Sequence, residues 1–213
     1  MQAIEVVLFE PVGCLAEFSA EPFLEMIAEL SGGRKKTSAS ASRCYWHLLN
    51  SIESSNPPIE EAEALELQAV QSAVPYEDVV PALIELKDMG IQLFISSSLC
   101  AAAVKVFLER NCLIDLFNAV WTRDNSGGVK AAPLRAACAG ASLKPEQAMF
   151  LADTLEGLKT ARAVGVQPVL MMNDPDEAKR LAMHDPAGGI VSLHELPDFL
   201  RIISAQNALR GST

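Results

Sequence analysis

The sequence is poor in aromatic residues and lacks any basic stretch long enough to neutralise a nucleic-acid backbone. Aromatic residues make up 6% of the 213 residues, while hydrophobic residues make up 50%, so aliphatic side chains must fill the core. The formal net charge is −10, and the one basic cluster is Arg34-Lys35-Lys36, for which a solvated loop is the simpler interpretation. We expect no nucleic-acid partner, because phosphate neutralisation requires clustered lysine and arginine.

Three further absences narrow the class of protein. The five cysteines are an odd number and contain no CxxC pair, which disfavours a disulfide framework and a zinc site. The sequence begins MQAIEVVLFE, without the basic region and cleavage site of a signal peptide. No apolar run approaches the roughly 18 residues of a membrane span. These features favour a cytoplasmic protein with no membrane partner.

Short apolar runs alternate with helical patterns along most of the chain. The strand-like runs lie at 4–9, 91–95, 119–122, 148–151, 167–171 and 190–192. From residue 78 onward, single helices separate them, at about 78–89, 99–110, 132–139 and 155–164. This alternation predicts βαβ units with right-handed crossovers, and hence a doubly wound, Rossmann-like α/β fold with a parallel sheet.

Residues 20–73 carry a different pattern. Helical periodicity appears at about 21–30, 39–52 and 59–72, and breaks at Ser31-Gly32-Gly33 and Asn56-Pro57-Pro58 divide these segments. No strand signal interrupts them. The pattern therefore predicts a small helical insertion into the α/β core.

Polar residues follow several of the predicted strands. Glu10 follows the first strand, Ser96-Ser97-Ser98 the second, and Asp153 a later one, while Lys130 opens a helix after Gly127-Gly128. Ligands of open parallel sheets bind beyond the carboxyl ends of the strands. These residues are therefore candidates for a functional site.

Three segments at these strand ends resemble the core motifs of the haloacid dehalogenase (HAD) superfamily. They are LFISSS at 93–98, GGVKAAP at 127–133 and FLADTLEGLKTARAVGV at 150–166, in the family's order and spacing. SLHELPDFL at 192–200 resembles the family's C-terminal end. The nearest group is subfamily I, the β-phosphoglucomutase-like phosphatases. The resemblance implies a core of residues 1–15 and 75–205, an α-helical cap at 16–74 and a tail at 206–213.

The resemblance also implies a mechanism, in which an aspartate after the first strand attacks phosphorus and a second aspartate two residues later is the general acid and base. Carried onto this sequence, it implies Glu10 and Lys130 as catalytic residues. It implies Ser96, Ser97 and Lys130 as phosphate-binding residues. A magnesium ion would be held by Glu10, the backbone carbonyl of Val12 and Asp153.

Three carboxylate positions depart from the family pattern. Glu10 stands in place of the nucleophilic aspartate, Val12 in place of the acid/base, and Ala152 in place of the first of two adjacent acids. Loss of an acid/base costs about 10² to 10⁴ in rate, and a misplaced reacting group about 10². We therefore expect very weak or no phosphomonoester hydrolysis, a weakened Mg²⁺ site, and a retained pocket for a phosphorylated small molecule.

Three other functions stay open. One is an active Mg²⁺-dependent phosphatase that uses Glu10 as its nucleophile. Another is a non-enzymatic pseudoenzyme that binds a ligand or a protein. The third is a 2-haloacid dehalogenase, since those relatives also lack the second aspartate, although they require the aspartate that Glu10 replaces.

Several of these residues also have purely structural interpretations. Glu10 and Lys130 could form an ion pair, because a buried carboxylate needs a partner. Asp153 could cap the following helix, and Ser96 could be a simple strand-end hydroxyl. Cys14, in the turn after the first strand, is either a thiol of low pKa or a small turn residue. The basic residues Arg34, Lys35, Lys36 and Arg43 are candidates to reach an anionic substrate.

Overall fold

A parallel six-stranded sheet forms the centre of this computed structural model, which describes residues 3–30, 40–55 and 59–210. Its strands are β1 (Val6–Phe9), β4 (Gln92–Ser96), β5 (Ala119–Trp121), β6 (Ala148–Ala152), β7 (Gln167–Met171) and β8 (Gly188–Ile190). Their order is β5-β4-β1-β6-β7-β8, with every neighbouring pair parallel. The predicted parallel sheet is therefore confirmed.

Helices cover both faces of the sheet, as the doubly wound interpretation requires. They are α5 (Val79–Asp88), α6 (Ala101–Arg110), α8 (Ala131–Gly140), α9 (Leu155–Val164), α10 (Pro175–Ala182) and α11 (Glu195–Arg210), with short turns α1 (Pro11–Cys14) and α7 (Arg123–Ser126). Alternate residues of β1 enter different core clusters. Val7 and Phe9 join one cluster, and Val6 and Leu8 join the other. This division matches the alternation of side chains along a strand.

Three helices form the segment that the sequence predicted as an insertion. They are α2 (Glu21–Leu30), α3 (Ala41–Ser55) and α4 (Ile59–Ser72), which we call the helical insertion. Two short antiparallel strands, β2 (Ala16–Glu17) and β3 (Val74–Pro75), join its ends. The sequence did not reveal these strands because two residues carry no periodicity. Within the described ranges, no helix is long and apolar enough to cross a bilayer.

The structure differs from the sequence-based predictions at three places. The last strand lies at Gly188–Ile190 rather than at 190–192. The helix α10 (Pro175–Ala182) was not predicted, although proline suits the first helical turn. The helix α11 continues to Arg210, so the predicted tail at 206–213 begins inside it.

Candidate active site

Glu10 lies directly after β1 and is almost completely buried, with 6% of its surface exposed. Ser97 Oγ donates a hydrogen bond to Glu10 Oε1 at 2.5 Å, and the backbone N–H of Ser98 donates to Oε2 at 3.3 Å. Burial is the main cause that raises the Glu10 pKa to about 8; the charge of Asp153 adds to the rise and these hydrogen bonds oppose it. The carboxyl group is therefore mainly protonated at neutral pH.

Lys130 does not pair with Glu10. Its Nζ donates to Asn50 Oδ1 on α3 at 2.6 Å, and its backbone N–H donates to Ser98 Oγ at 2.7 Å. Among the described residues, no ion pair joins Lys130 to the Glu10 carboxyl group. The predicted Glu10–Lys130 pair is wrong, because the insertion supplies Lys130 with a different partner.

The three predicted phosphate-binding side chains have no common partner. The Ser97 hydroxyl is used by Glu10, and the Lys130 ammonium group binds Asn50. Ser96 is 3% exposed, and its Oγ has no hydrogen-bond partner among the described residues. The structure thus brings Ser97 and Glu10 together but directs Lys130 toward the insertion.

Asp153 follows β6 and contacts the insertion rather than capping a helix. Ser42 Oγ on α3 donates a hydrogen bond to Asp153 Oδ2. Thr154 caps α9 instead, because its side chain accepts from the Gly157 N–H at 3.2 Å. The alternative interpretation of Asp153 as a helix cap is therefore wrong.

The turn after β1 requires glycine at position 13. Gly13 has a φ of 77°, a region that side chains rarely adopt. A Cβ atom there would also collide with the side chains of Asp153 and Ser42. Cys14, the next residue, is fully buried, and burial raises its thiol pKa well above the ordinary value, with Asp153 contributing. The structure therefore supports a small turn residue over a reactive thiol.

A magnesium ion at the predicted position would have to displace the hydrogen bonds that the carboxyl groups of Glu10 and Asp153 both accept. Magnesium requires several hard oxygen ligands in near-octahedral arrangement. The Glu10 carboxyl group is mainly neutral and hydrogen-bonded by Ser97 and Ser98, and Asp153 accepts from Ser42. Within the described ranges, no three acidic, histidine or cysteine side chains cluster as a metal site. Val12 offers only its backbone carbonyl at this position.

Helix α3 of the insertion covers these strand ends with four side chains. Ser42 contacts Asp153, Asn50 contacts Lys130, and Trp46 packs near Gly157. Tyr45 is fully buried, and burial raises its phenol pKa well above the ordinary value, with the charges of Glu10 and Glu66 adding to the effect. Side chains of α3 thus contact Asp153 and Lys130, two of the predicted site residues.

Cavities in the described part of the chain lie beside these strand ends. Asp153 lines one of about 620 Å³ together with Gly13 and Asn173. Lys130 lines a second, of about 800 Å³, on the other side of the insertion. Neither cavity is lined by Glu10, Ser96 or Ser97. The carboxyl group of Glu10, the predicted catalytic group, is therefore not accessible from either of these cavities.

Comparison with known proteins agrees with this architecture. The family model described as Haloacid dehalogenase-like hydrolase matches residues 20–171. The chain therefore belongs to the haloacid dehalogenase-like hydrolases. No curated protein sequence matches this haloacid dehalogenase-like chain.

Solved structures of the same fold are similar over nearly the whole chain. A HAD phosphatase from Thermococcus onnurineus is 21% identical, with 94% of this chain and 98% of that chain covered and a TM-score of 0.62. A predicted phosphatase from Clostridium acetobutylicum is 19% identical, with 95% and 100% covered and a TM-score of 0.70. The L-2-haloacid dehalogenase from Xanthobacter autotrophicus with chloropropionic acid covalently bound is 16% identical, with 93% and 98% covered and a TM-score of 0.63. These likenesses confirm the HAD fold.

A buried ion pair joins the insertion to this haloacid dehalogenase-like core. Glu66 on α4 pairs with Arg123, which follows β5, and both side chains are at least nine-tenths buried. Glu66 also accepts from the Cys100 N–H, at the start of α6, at 2.9 Å, and Arg123 donates to the Ser98 carbonyl at 3.2 Å. Burial raises the Glu66 pKa, while Arg123 opposes that shift.

Neither partner of this pair was predicted from the sequence, although a sequence pattern indicates each of them. Glu66 lies on the same helical stripe as the buried residues Ala62, Ala69 and Val70, where a solvated glutamate would not be expected. Arg123 follows the predicted strand at 119–122, just as Glu10 follows the predicted strand at 4–9. An acidic residue on an apolar stripe and a basic residue at a strand end indicate a buried pair.

We predict that the pH dependence of stability reports the proton on Glu10. The unfolded chain releases this proton near the ordinary pKa of 4.5 and the folded chain near 8. The free energy of unfolding should therefore fall as pH rises from about 5 to about 8, by about 1.4 kcal/mol per unit of pKa difference. Glu10→Gln stays neutral and should lack this loss. Urea denaturation of both proteins at these two pH values measures it, and a wild-type-to-variant difference that is independent of pH would contradict it.

We further predict that the Glu66–Arg123 pair is a main determinant of stability. Glu66→Ala should lower the free energy of unfolding by about 3 to 5 kcal/mol, because it leaves a buried guanidinium without its counter-charge. The control is Glu109→Ala, which breaks the exposed Lys105–Glu109 pair and should cost less than about 1 kcal/mol.

Denaturation midpoints compare the two variants. If Glu66→Ala does not fold, Glu66→Gln keeps an acceptor for the Cys100 N–H and serves in its place. Equal losses in the Glu66 and Glu109 variants would show that the buried pair has no special role.

Proposed function

We propose that this haloacid dehalogenase-like protein hydrolyses phosphomonoesters very weakly or not at all, because the residues at the family's catalytic positions contact the helical insertion or are buried beneath it. The observation that carries this proposal is the burial of Glu10 under α3, with its carboxyl group held by Ser97 and Ser98. Asp153 and Lys130 likewise contact Ser42 and Asn50 of that helix.

The state of Glu10 argues against nucleophilic attack. A carboxyl group attacks phosphorus only when ionised, and a pKa of about 8 leaves roughly a tenth of Glu10 ionised at pH 7. Attack also requires access, but the insertion covers this residue. Val12, at the acid/base position, is a buried apolar side chain that cannot transfer a proton.

Binding of a phosphorylated small molecule at Ser96, Ser97 and Lys130 forms a second part of the proposal. The buried Ser96 hydroxyl has no hydrogen-bond partner within the described ranges, and a phosphate oxygen would supply one if the insertion moved. Lys130 would have to leave Asn50, and the insertion would have to move aside. In this form the protein is a ligand-binding pseudoenzyme.

The remaining functions predict different behaviour. A phosphatase that uses Glu10 would become faster as pH rises through about 8, since ionisation would create the nucleophile. The L-2-haloacid dehalogenase from Xanthobacter autotrophicus holds chloropropionic acid covalently, and the same step here would again require an ionised, accessible Glu10. Halide release from a 2-haloacid separates this function from phosphate release.

We predict that a Mg²⁺-dependent assay on a broad phosphoester panel will show little or no turnover in the wild type. The comparison includes Glu10→Gln and the repair variant Glu10→Asp/Val12→Asp/Ala152→Glu. Because Ala152 is buried against the position of Gly157, the double variant Glu10→Asp/Val12→Asp accompanies the repair. Circular dichroism checks that each variant folds.

The outcomes separate the functions. Robust wild-type turnover that Glu10→Gln abolishes would overturn the proposal and show a working glutamate nucleophile. A silent wild type with an active repair variant would support an impaired enzyme whose phosphate-binding residues still function. Turnover that is equal in the wild type and Glu10→Gln would show chemistry that does not use this carboxyl group.

A further inference from the structure

Tyr45 is a fully buried aromatic side chain of the helical insertion, and it has no role in the proposed function. It lies on α3, one turn after Ser42, whose hydroxyl donates to Asp153. Residues three positions apart share a face of a helix, so Tyr45 lies on the face of α3 that meets the strand ends. Its ring packs against Phe23 of α2, with ring centroids 5.3 Å apart. Two helices of the insertion therefore hold the ring at this position.

The phenol group of Tyr45 lies between two polar contacts of the core. Burial is the main cause that raises its pKa, and the charges of Glu10 and Glu66 raise it further. The charge of Arg123 and the hydroxyl of Ser97 lower the same pKa. Effects of this kind act over short distances. The phenol group is therefore close both to the Ser97–Glu10 hydrogen bond and to the Glu66–Arg123 ion pair.

The Tyr45 hydroxyl forms no hydrogen bond with any residue that the structure describes. The Ser97 hydroxyl donates its proton to Glu10 instead. The buried Ser96 Oγ and Arg123 Nη2 atoms also have no hydrogen-bond partner in the described part of the chain. Buried polar groups without a partner are costly. The strand ends thus carry unsatisfied polar groups, and an aromatic ring of the insertion lies beside them.

We propose that Tyr45 is an autoinhibitory residue, whose phenol ring occupies the space in which a phosphate group would meet Ser96 and Ser97. The ring is fully buried beside Ser97, and neither of the two cavities at the strand ends is lined by Ser96 or Ser97. A phenol ring is larger than a phosphate ion, so its removal leaves room for phosphate while α3 stays in place. The inference rests on the proposed function, since it concerns access to the phosphate-binding residues named there.

Calorimetric titration of the full chain with inorganic phosphate tests the inhibitory role. Tyr45→Ala removes the ring and should tighten phosphate binding at least about tenfold, because the apparent affinity of a mostly closed site is reduced by the fraction that is open. Tyr45→Phe keeps the ring and should bind phosphate as weakly as the wild type. Because the hydroxyl has no partner among the described residues, Tyr45→Phe should not lower the denaturation midpoint.

Competition with phenol tests whether the ring and the phosphate use the same space. An apolar cavity made by removal of a side chain can bind an aromatic molecule of matching size. Phenol should therefore bind to Tyr45→Ala but not to the wild type, and it should return the phosphate affinity of this variant toward the wild-type value. Independent binding of phenol and phosphate would show two separate spaces and overturn the proposal.

The matched control is Phe107→Ala. Phe107 is also a fully buried aromatic residue, but it lies on α6 and packs against Phe18. Its removal also leaves a cavity, so this variant should lose stability without any gain in phosphate affinity. An equal gain in the Phe107 and Tyr45 variants would show a general loosening of the protein and overturn the proposal. If Tyr45→Ala does not fold, Tyr45→Leu removes the ring but keeps an apolar side chain, and serves in its place.

The remaining outcomes separate this inference from the proposed function. Wild-type phosphate affinity in Tyr45→Ala would overturn the inhibitory role and leave the phosphate site standing. Absence of phosphate binding in both the wild type and Tyr45→Ala would overturn the phosphate site, and the inhibitory role with it. Addition of Ser96→Ala to Tyr45→Ala should abolish the gained affinity, because Ser96 lies at the proposed position of the phosphate. A gain that persists would place the phosphate elsewhere and overturn the inference.

Discussion

The buried ion pair between Glu66 and Arg123 joins the helical insertion to the core beside the contacts that α3 makes at the strand ends. The Glu66 carboxylate binds both the Arg123 guanidinium after β5 and the backbone N–H of Cys100, which precedes α6. This one side chain therefore connects α4 to two elements of the core. Removal of either partner would leave the other charge buried and unpaired, which is costly. With α4 held in this position, α3 lies over the carboxyl edge of the sheet, where Ser42 and Asn50 find their partners.

The packing of α3 over the strand ends also explains why Glu10 is mainly protonated. A carboxyl group after a buried strand keeps its charge only with solvent or a cation nearby. Glu10 is excluded from solvent, and Lys130, its predicted partner, donates to Asn50. Protonation is then the remaining way to bury Glu10, and Ser97 and the Ser98 N–H satisfy its oxygens. The packing of the insertion over Glu10 thus removes the charge of this carboxyl group, its access to a substrate and its predicted positive partner.

Much of this fold follows from local sequence, but much of the site does not. The bounds of α9 match the prediction because Thr154 caps its start and Gly165 ends it in the left-handed region. The proximity of Glu10 and Ser97 follows from the shared edge of parallel strands. The partner of Lys130 could not be predicted, because it depends on how α3 packs across 80 residues of sequence. Helix α10 was not predicted, although its first residue, Pro175, suits a first helical turn.

The distribution of charge at the strand ends also disfavours phosphate turnover. The negative charge of Asp153 raises the pKa values of both Glu10 and Cys14. Lys130 would supply positive charge to a phosphate group, but its ammonium group donates to Asn50 on α3. An anion approaching an acidic protein follows local positive potential. The insertion must therefore move before a phosphate group can reach Lys130 together with the Ser96 and Ser97 hydroxyls.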